Sequence, residues 1–220
     1  MQYDAVLFDF DGVLVEGPSM DRFSDAVRRA YDAQPVEFGR SGPVAETLGA
    51  LLEGDFESIT RRCRSLGIET EAFCARAARE LVRTQLEAVE RGLRSAYDDV
   101  VAVRSIGRPL GIVSDNHPSV VSTLLDRFGF ESLFETVHGC PLTPDGLARR
   151  KPDPRNIRAA MAALDAESAL YVGDRSVDVR AARNAGIDAA HLQRDGTAPE
   201  TDVEATYRLT SLAELPAVVE

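Results

Sequence analysis

Residues 5–14 read AVLFDFDGVL. Four apolar residues run straight into Asp9 and Asp11, and Gly12 lets the chain turn sharply beside them. The stretch reads as a short β-strand over 5–10 whose end carries two carboxylates. Residues two apart on a strand project from the same face, so both carboxylates can reach one reacting centre. The residues beyond this strand decide the architecture. From about residue 19 to 92 the pattern is helix after helix, with no convincing strand. Phe56, Ile59, Cys63 and Leu66 recur at helical spacing, and Val44, Leu48, Leu51 and Leu52 mark another helix. FSDAVRRAY and a long run near 70–91 supply two more.

After Gly92 strands and helices alternate. PLGIVSD (109–115), FETVHG (134–139), SALYVGD (168–174), IDAAHL (187–192) and ATYRLTS (205–211) read as strands. HPSVVSTLLDRFG, DPRNIRAAMAALDA, VDVRAARNAG and the closing SLAELPAVVE read as the helices between and after them. Such alternation implies right-handed crossovers and a mainly parallel sheet with helices on both faces. The expected fold is therefore α/β and Rossmann-like. The first strand belongs to this layer, so the helical block is an insertion. Residues 1–18 and 93–220 form the expected core, and 19–92 an inserted α-helical domain.

In open parallel sheets, ligands bind beyond the carboxyl ends of the strands. Asp9 and Asp11 lie at the end of the first strand, Ser114 and Asn116 at the second, and Asp174 at the LYVGD strand with Asp178 in the next helix. Lys151 is the only lysine among 25 basic residues. Pro152 restricts it to extended backbone, and Asp153–Pro154 reads as the N-cap and first position of a helix. Each feature alone has an ordinary explanation: a solvated turn, a satisfied hydroxyl, a helix cap, a surface charge. Their order along the chain is what distinguishes them.

Together these residues resemble the haloacid dehalogenase superfamily, in its phosphatase branch. The resemblance rests on FDFDGVL, VSDN, the lysine of KPDP and VGDRSVD, with AARNAG and SLAELPAVV after them. It covers nearly the whole chain, and the 19–92 block is similar to the cap that one subgroup inserts after its first motif. One departure is Val13, where many relatives have threonine.

The resemblance implies Asp9 as nucleophile, Asp11 as general acid and base, and Lys151 against both Asp9 and the phosphoryl group. It implies Ser114 and the Asn116 amide as phosphoryl ligands. Asp9, the Asp11 carbonyl, Asp174 and Asp178 are implied to hold Mg²⁺, the last directly or through water. Phosphate-ester chemistry calls for these residue types independently: a doubly negative ester repels an anionic nucleophile until a cation offsets the charge. Hard oxygen ligands without a Cys/His cluster favour Mg²⁺ over zinc. Dehalogenases of the superfamily lack the second aspartate, so Asp11 argues for phosphoryl transfer. The expected activity is phosphatase action on a small phosphorylated metabolite, such as phosphoglycolate or a sugar phosphate. The alternative is a phosphomutase of the β-phosphoglucomutase type. Arg40, Arg61, Arg62 and Arg64 include either a contact to an acidic substrate or only solvated helix faces.

Composition narrows the setting. A net charge of −11 argues against nucleic acid or an anionic membrane as partner. No apolar run approaches a membrane span, and no signal peptide is evident at the N-terminus, so the expected protein is soluble and cytoplasmic. With 36 acidic residues and one lysine, the composition suits a halophilic, salt-accumulating cytoplasm. Cys63, Cys74 and Cys140 form no CxxC pair, Cys63 reads as a small buried hydrophobe on its helical stripe, and the three histidines lack ligand spacing. Oligomeric state has no sequence signal.

Overall fold

The computed structural model describes residues 3–34, 44–194 and 204–219. The chain divides into two compact units: Met1–Gly17, Ser95–Gly139 and Lys151–Glu220 form one, Pro18–Arg94 and Cys140–Arg150 the other.

The first unit is built on one sheet. Its strands are β1 (Ala5–Phe8), β2 (Leu110–Val113), β3 (Thr136–His138), β4 (Ala169–Gly173), β5 (Asp188–Leu192) and β6 (Tyr207–Leu209). They lie in the order β3-β2-β1-β4-β5-β6, and every pairing is parallel. β1, β2 and β4 are buried along their whole length, as continuous apolar runs covered on both faces must be. Ala5 and Leu7 pack with Tyr171 against Ile157 and Ala160 of α7 (Arg155–Ala163) and Val179 and Ala182 of α8 (Ser176–Ala185). On β1's other face, Phe8 meets Phe134 edge-on with ring centroids 6.0 Å apart. Two further helices complete the unit, α5 (Pro118–Phe128) and α9 (Leu215–Val219).

Two details differ from the sequence expectation. Residues Asp98–Ser105 form a 3₁₀ segment, where sequence pattern assigns nothing; its Val100 and Val103 are fully buried. α7 starts at Arg155 with Pro154 as its N-cap, one residue later than the expected start at Pro154. Asp153 still accepts the Arg155 N–H at 2.9 Å, so its carboxylate caps the helix from one position further out.

The second unit is helical: α1 (Met20–Asp32), α2 (Val44–Glu53), α3 (Phe56–Ser65), α4 (Thr70–Glu90) and the short α6 (Pro144–Ala148). Its core gathers Val27, Tyr31, Leu51, Ile59, Cys63 and Phe73. Tyr31 and Phe73 stack at 4.6 Å, and the Tyr31 hydroxyl shares a 2.7 Å hydrogen bond with Thr47. Cys63, Cys74 and Cys140 are buried thiols outside any disulfide. The stretch Cys140–Arg150 is additional to the 19–92 block. Leu147 joins the helical core, and the Arg150 guanidinium donates to the Leu51 carbonyl, a partnership that no local pattern announces. Among the described residues, no helix is long and apolar enough to cross a membrane.

Candidate active site

The sheet order sends the chain to one side of β1 for β2 and β3, then to the other side for β4. This is the switch point at which parallel sheets open a crevice. Register brings the strand ends level there. Phe8 pairs with Ile112 and with Val172, so Asp9 stands beside Val113 and Gly173, one step short of Ser114 and Asp174.

Asp9 continues the ladder one residue beyond β1, its N–H donating to Val172 O at 2.8 Å. Asp11 does not lie on the strand, contrary to the reading of 5–10 as one extended run. The chain bends at Phe10, and the turn closes with Gly12 N–H to Val15 O at 2.7 Å and Val15 N–H to Phe10 O at 3.1 Å. Gly12 has a φ of +80°. A Cβ at this position would stand 2.0 Å from Asp174 Oδ2, so only glycine lets the Asp174 carboxylate approach. The turn also sets Asp11 against the second strand end: Asn116 Nδ2 donates to Asp11 Oδ2 at 2.8 Å, and Asn116 N–H donates to Ser114 Oγ at 3.1 Å. The Asn116 side-chain amide thus holds Asp11.

Lys151 is buried, its side chain 1% exposed. Its ammonium lies 2.8 Å from Asp9 Oδ2, 2.6 Å from Asp178 Oδ1 and 3.1 Å from the Tyr171 hydroxyl. The Tyr171 hydroxyl in turn donates to Val113 O at 2.7 Å. Asp115 holds the Lys151 backbone, accepting its N–H at 3.0 Å. Burial works against the lysine charge, but the facing Asp178 and Asp9 carboxylates outweigh it and hold Lys151 well above the ordinary lysine range.

Asp9, Asp174 and Asp178 offer carboxylate oxygens that all lie within 4.8 Å of one another. Asp174 Oδ1 is buried with no hydrogen-bond partner among the described residues. Burial pushes Asp9 up to about 8 despite the Lys151 charge, and Asp174 up to about 6. Buried, crowded carboxylates with an unsatisfied oxygen fit a bound cation, since charge of this kind is otherwise uncompensated. Asp178 contributes least freely. Its Oδ1 faces Lys151 and its Oδ2 accepts the Arg175 N–H at 2.9 Å. The packing behind it is tight: a Cβ on Gly173 would come within 2.2 Å of Asp178 Cβ.

Several residues of the site escape sequence reasoning. Tyr171 reads as core within an apolar strand, and His191 likewise. His191 is buried with Nε2 3.0 Å from the Asp174 carbonyl oxygen, which only an N–H satisfies, so that nitrogen carries the proton. Arg175 had one available signal, its place directly after Asp174. In the helical unit, Arg62 pairs with Glu46 and Arg61 donates to Ser58 Oγ at 2.9 Å, while Arg64 is exposed. Arg40 lies outside the described residues.

The sheet and its strand ends thus define a parallel α/β enzyme whose centre is a cluster of aspartates around one buried lysine. A family model for haloacid dehalogenase-like hydrolases matches residues 3–186. The chain is 32% identical over 186 residues to the phosphoglycolate phosphatase of Cereibacter sphaeroides strain ATCC 17029, covering 83% of this chain and 81% of that protein. It is 29% identical over 216 residues to the pyrophosphatase PpaX of Bacillus velezensis, covering 96% and 94%. CbbY from Rhodobacter sphaeroides, solved in complex with phosphate, shares the fold with a TM-score of 0.71 at 23% identity, over 97% of this chain and 96% of that one. The chain belongs to the haloacid dehalogenase-like hydrolases, in their phosphatase branch.

Proposed function

We propose that this protein is a Mg²⁺-dependent phosphatase of a small phosphorylated metabolite, of the phosphoglycolate or sugar phosphate type, working through an aspartyl-phosphate in the cytoplasm. The observation that carries the reading is the placement of Asp9 between Lys151 and the orphaned oxygen of Asp174. The relatives named phosphoglycolate phosphatase and pyrophosphatase support a phosphorylated substrate.

Asp9 attacks phosphorus with a carboxylate oxygen, forming the Asp9–phosphoryl bond as the bond to the leaving alcohol oxygen breaks. Asp11, held by the Asn116 amide, gives its proton to that oxygen. It then takes a proton from the water that attacks phosphorus, releasing inorganic phosphate and restoring Asp9. Lys151 pairs with Asp9, opposing the effect of burial on its carboxylate and orienting it. Bound Mg²⁺, held by Asp9, Asp174 and the Asp11 carbonyl with Asp178 in support, supplies Lewis-acid neutralisation of the phosphoryl charge. Ser114 is assigned to the phosphoryl oxygens, and the helical unit, as an inserted cap, to the choice among metabolites.

The test is phosphate release from a panel of phosphorylated metabolites with and without Mg²⁺, at low and at molar KCl. Metal-dependent release is expected, with higher activity in molar KCl if the acidic surface is an adaptation to salt. Conversion of a sugar 1-phosphate into its 6-phosphate without phosphate release would replace hydrolysis by mutase chemistry.

A further inference from the structure

We propose that Arg175 is a direct ligand of the phosphoryl group that reaches Asp9. The proposal rests on the phosphatase reading and adds a substrate-binding residue to the same site.

The argument begins with Lys151. An ammonium has three N–H donors. Lys151 faces three oxygens, those of Asp9, Asp178 and Tyr171, at 2.6–3.1 Å, and is almost fully buried. Its Nζ donates to the Tyr171 hydroxyl and is ion-paired with Asp9 and Asp178, so its charge is already shared between two carboxylates when a phosphoryl group arrives. Among the described residues, Arg175 is the other cation within 4.0 Å of Asp9.

Arg175 is arranged differently. Its backbone is anchored where α8 begins, the N–H donating to Asp178 Oδ2 at 2.9 Å. Its guanidinium is drawn toward two carboxylates without docking on either. Nη2 lies 4.0 Å from Asp9 Oδ2 and 3.7 Å from Asp115 Oδ2, beyond the 2.7–3.2 Å of a hydrogen bond. The side chain is 52% exposed, so it reaches the nucleophile from the solvent side, where substrate must arrive. A planar fork with several free donors suits the oxygens of a phosphoryl group, which it can take in pairs. Four carboxylates gather here, from Asp9, Asp115, Asp174 and Asp178, and a dianionic group entering among them needs such a donor. The guanidinium has only to close about 1 Å to pass from ion pairing to hydrogen bonding.

The experiment compares the parent with Arg175→Gln and Arg175→Lys. Turnover is measured with Mg²⁺ on p-nitrophenyl phosphate and on phosphoglycolate, inorganic phosphate binding by calorimetry, and folding by melting temperature. Arg175→Gln is expected to melt like the parent, to bind inorganic phosphate about tenfold more weakly, and to lose on the order of 10²-fold in kcat/KM on both substrates alike. Arg175→Lys is expected to recover part of each loss, because charge returns without the fork. Unchanged phosphate affinity in Arg175→Gln would overturn the proposal. So would a loss confined to phosphoglycolate, which would place the contact on the leaving group's carboxylate. If the parent itself releases no phosphate from any substrate, the phosphatase reading fails. The calorimetric comparison still decides whether Arg175 binds the anion.

Discussion

Lys151 Nζ lies 2.6 Å from Asp178 Oδ1, closer than its 2.8 Å approach to Asp9 Oδ2. The lysine thus ties Asp9, one residue past β1, to the first turn of α8, and its charge is shared between two carboxylates. This explains why a chain that otherwise uses arginine keeps a lysine at one position. A compact ammonium fits between Asp9, Asp178 and Tyr171, where a planar guanidinium is too broad. Lys151→Arg is therefore expected to lose about 10²-fold in turnover and about 1–3 kcal/mol in stability through overpacking. Lys151→Met leaves two buried carboxylates without their counter-charge and is expected to cost more, about 3–5 kcal/mol. Paired melting and rate measurements check both. Full activity in Lys151→Arg would remove the lysine from the mechanism.

Asp9 and Asp11 are separable by experiment because the structure holds them differently. Asp9→Asn is expected to abolish both the phosphoenzyme and turnover, since an amide is no nucleophile. Asp11→Asn is expected to keep Mg²⁺ binding, which draws on the backbone carbonyl there, while turnover slows by about 10²-fold or more. Asn116→Ala frees the Asp11 carboxylate from its 2.8 Å hydrogen bond and is expected to fall between parent and Asp11→Asn. Phosphoenzyme trapping and single-turnover rates distinguish the three, and strong residual activity in Asp9→Asn would exclude the covalent route.

Gly12 is a second position where a small change has a defined consequence. Gly12→Ala places a methyl group 2.0 Å from Asp174 Oδ2 on a backbone with a φ of +80°. Either Asp174 moves out of the carboxylate cluster or the turn carrying Asp11 opens. The expected result is a stability loss of about 1 kcal/mol or more together with weakened Mg²⁺ binding, read by calorimetry. Unaltered metal affinity would show that Asp174 does not need its present position.

The buried carboxylates also set a pH dependence. Burial raises Asp9 to about 8 and Asp174 to about 6 in the folded protein, while unfolded aspartates titrate near ~3.9. From about pH 4 to 8 these two groups therefore bind more protons in the metal-free fold than in the unfolded chain, and their contribution to stability falls as pH rises through that window. A cation must displace these protons, so its binding strengthens in the same direction. The rise in melting temperature on adding Mg²⁺ is expected to be larger at about pH 8.5 than at about pH 5.5. An equal or smaller rise at the higher pH would show that these carboxylates do not hold the metal.

The sequence alone determined the parallel α/β layer, the helical insertion and the residues at the strand ends. These are local properties: an apolar run such as AVLF, a helical stripe such as Ile59 and Cys63, or a carboxylate just past a strand is legible without knowing what packs against it. Tertiary structure decided the rest. Only strand order and register bring Tyr171 and Asp178 to Lys151, 20 and 27 positions away in the chain. Asn116 meets Asp11 across 105 positions, and Leu147 joins a core formed mostly of residues before position 78. The turn at Gly12, rather than strand periodicity, places Asp11. Local sequence specifies which way a chain prefers to fold over a few residues. Which side chains then share a buried space depends on how distant elements align, and in this protein that alignment sets the charge balance of the site.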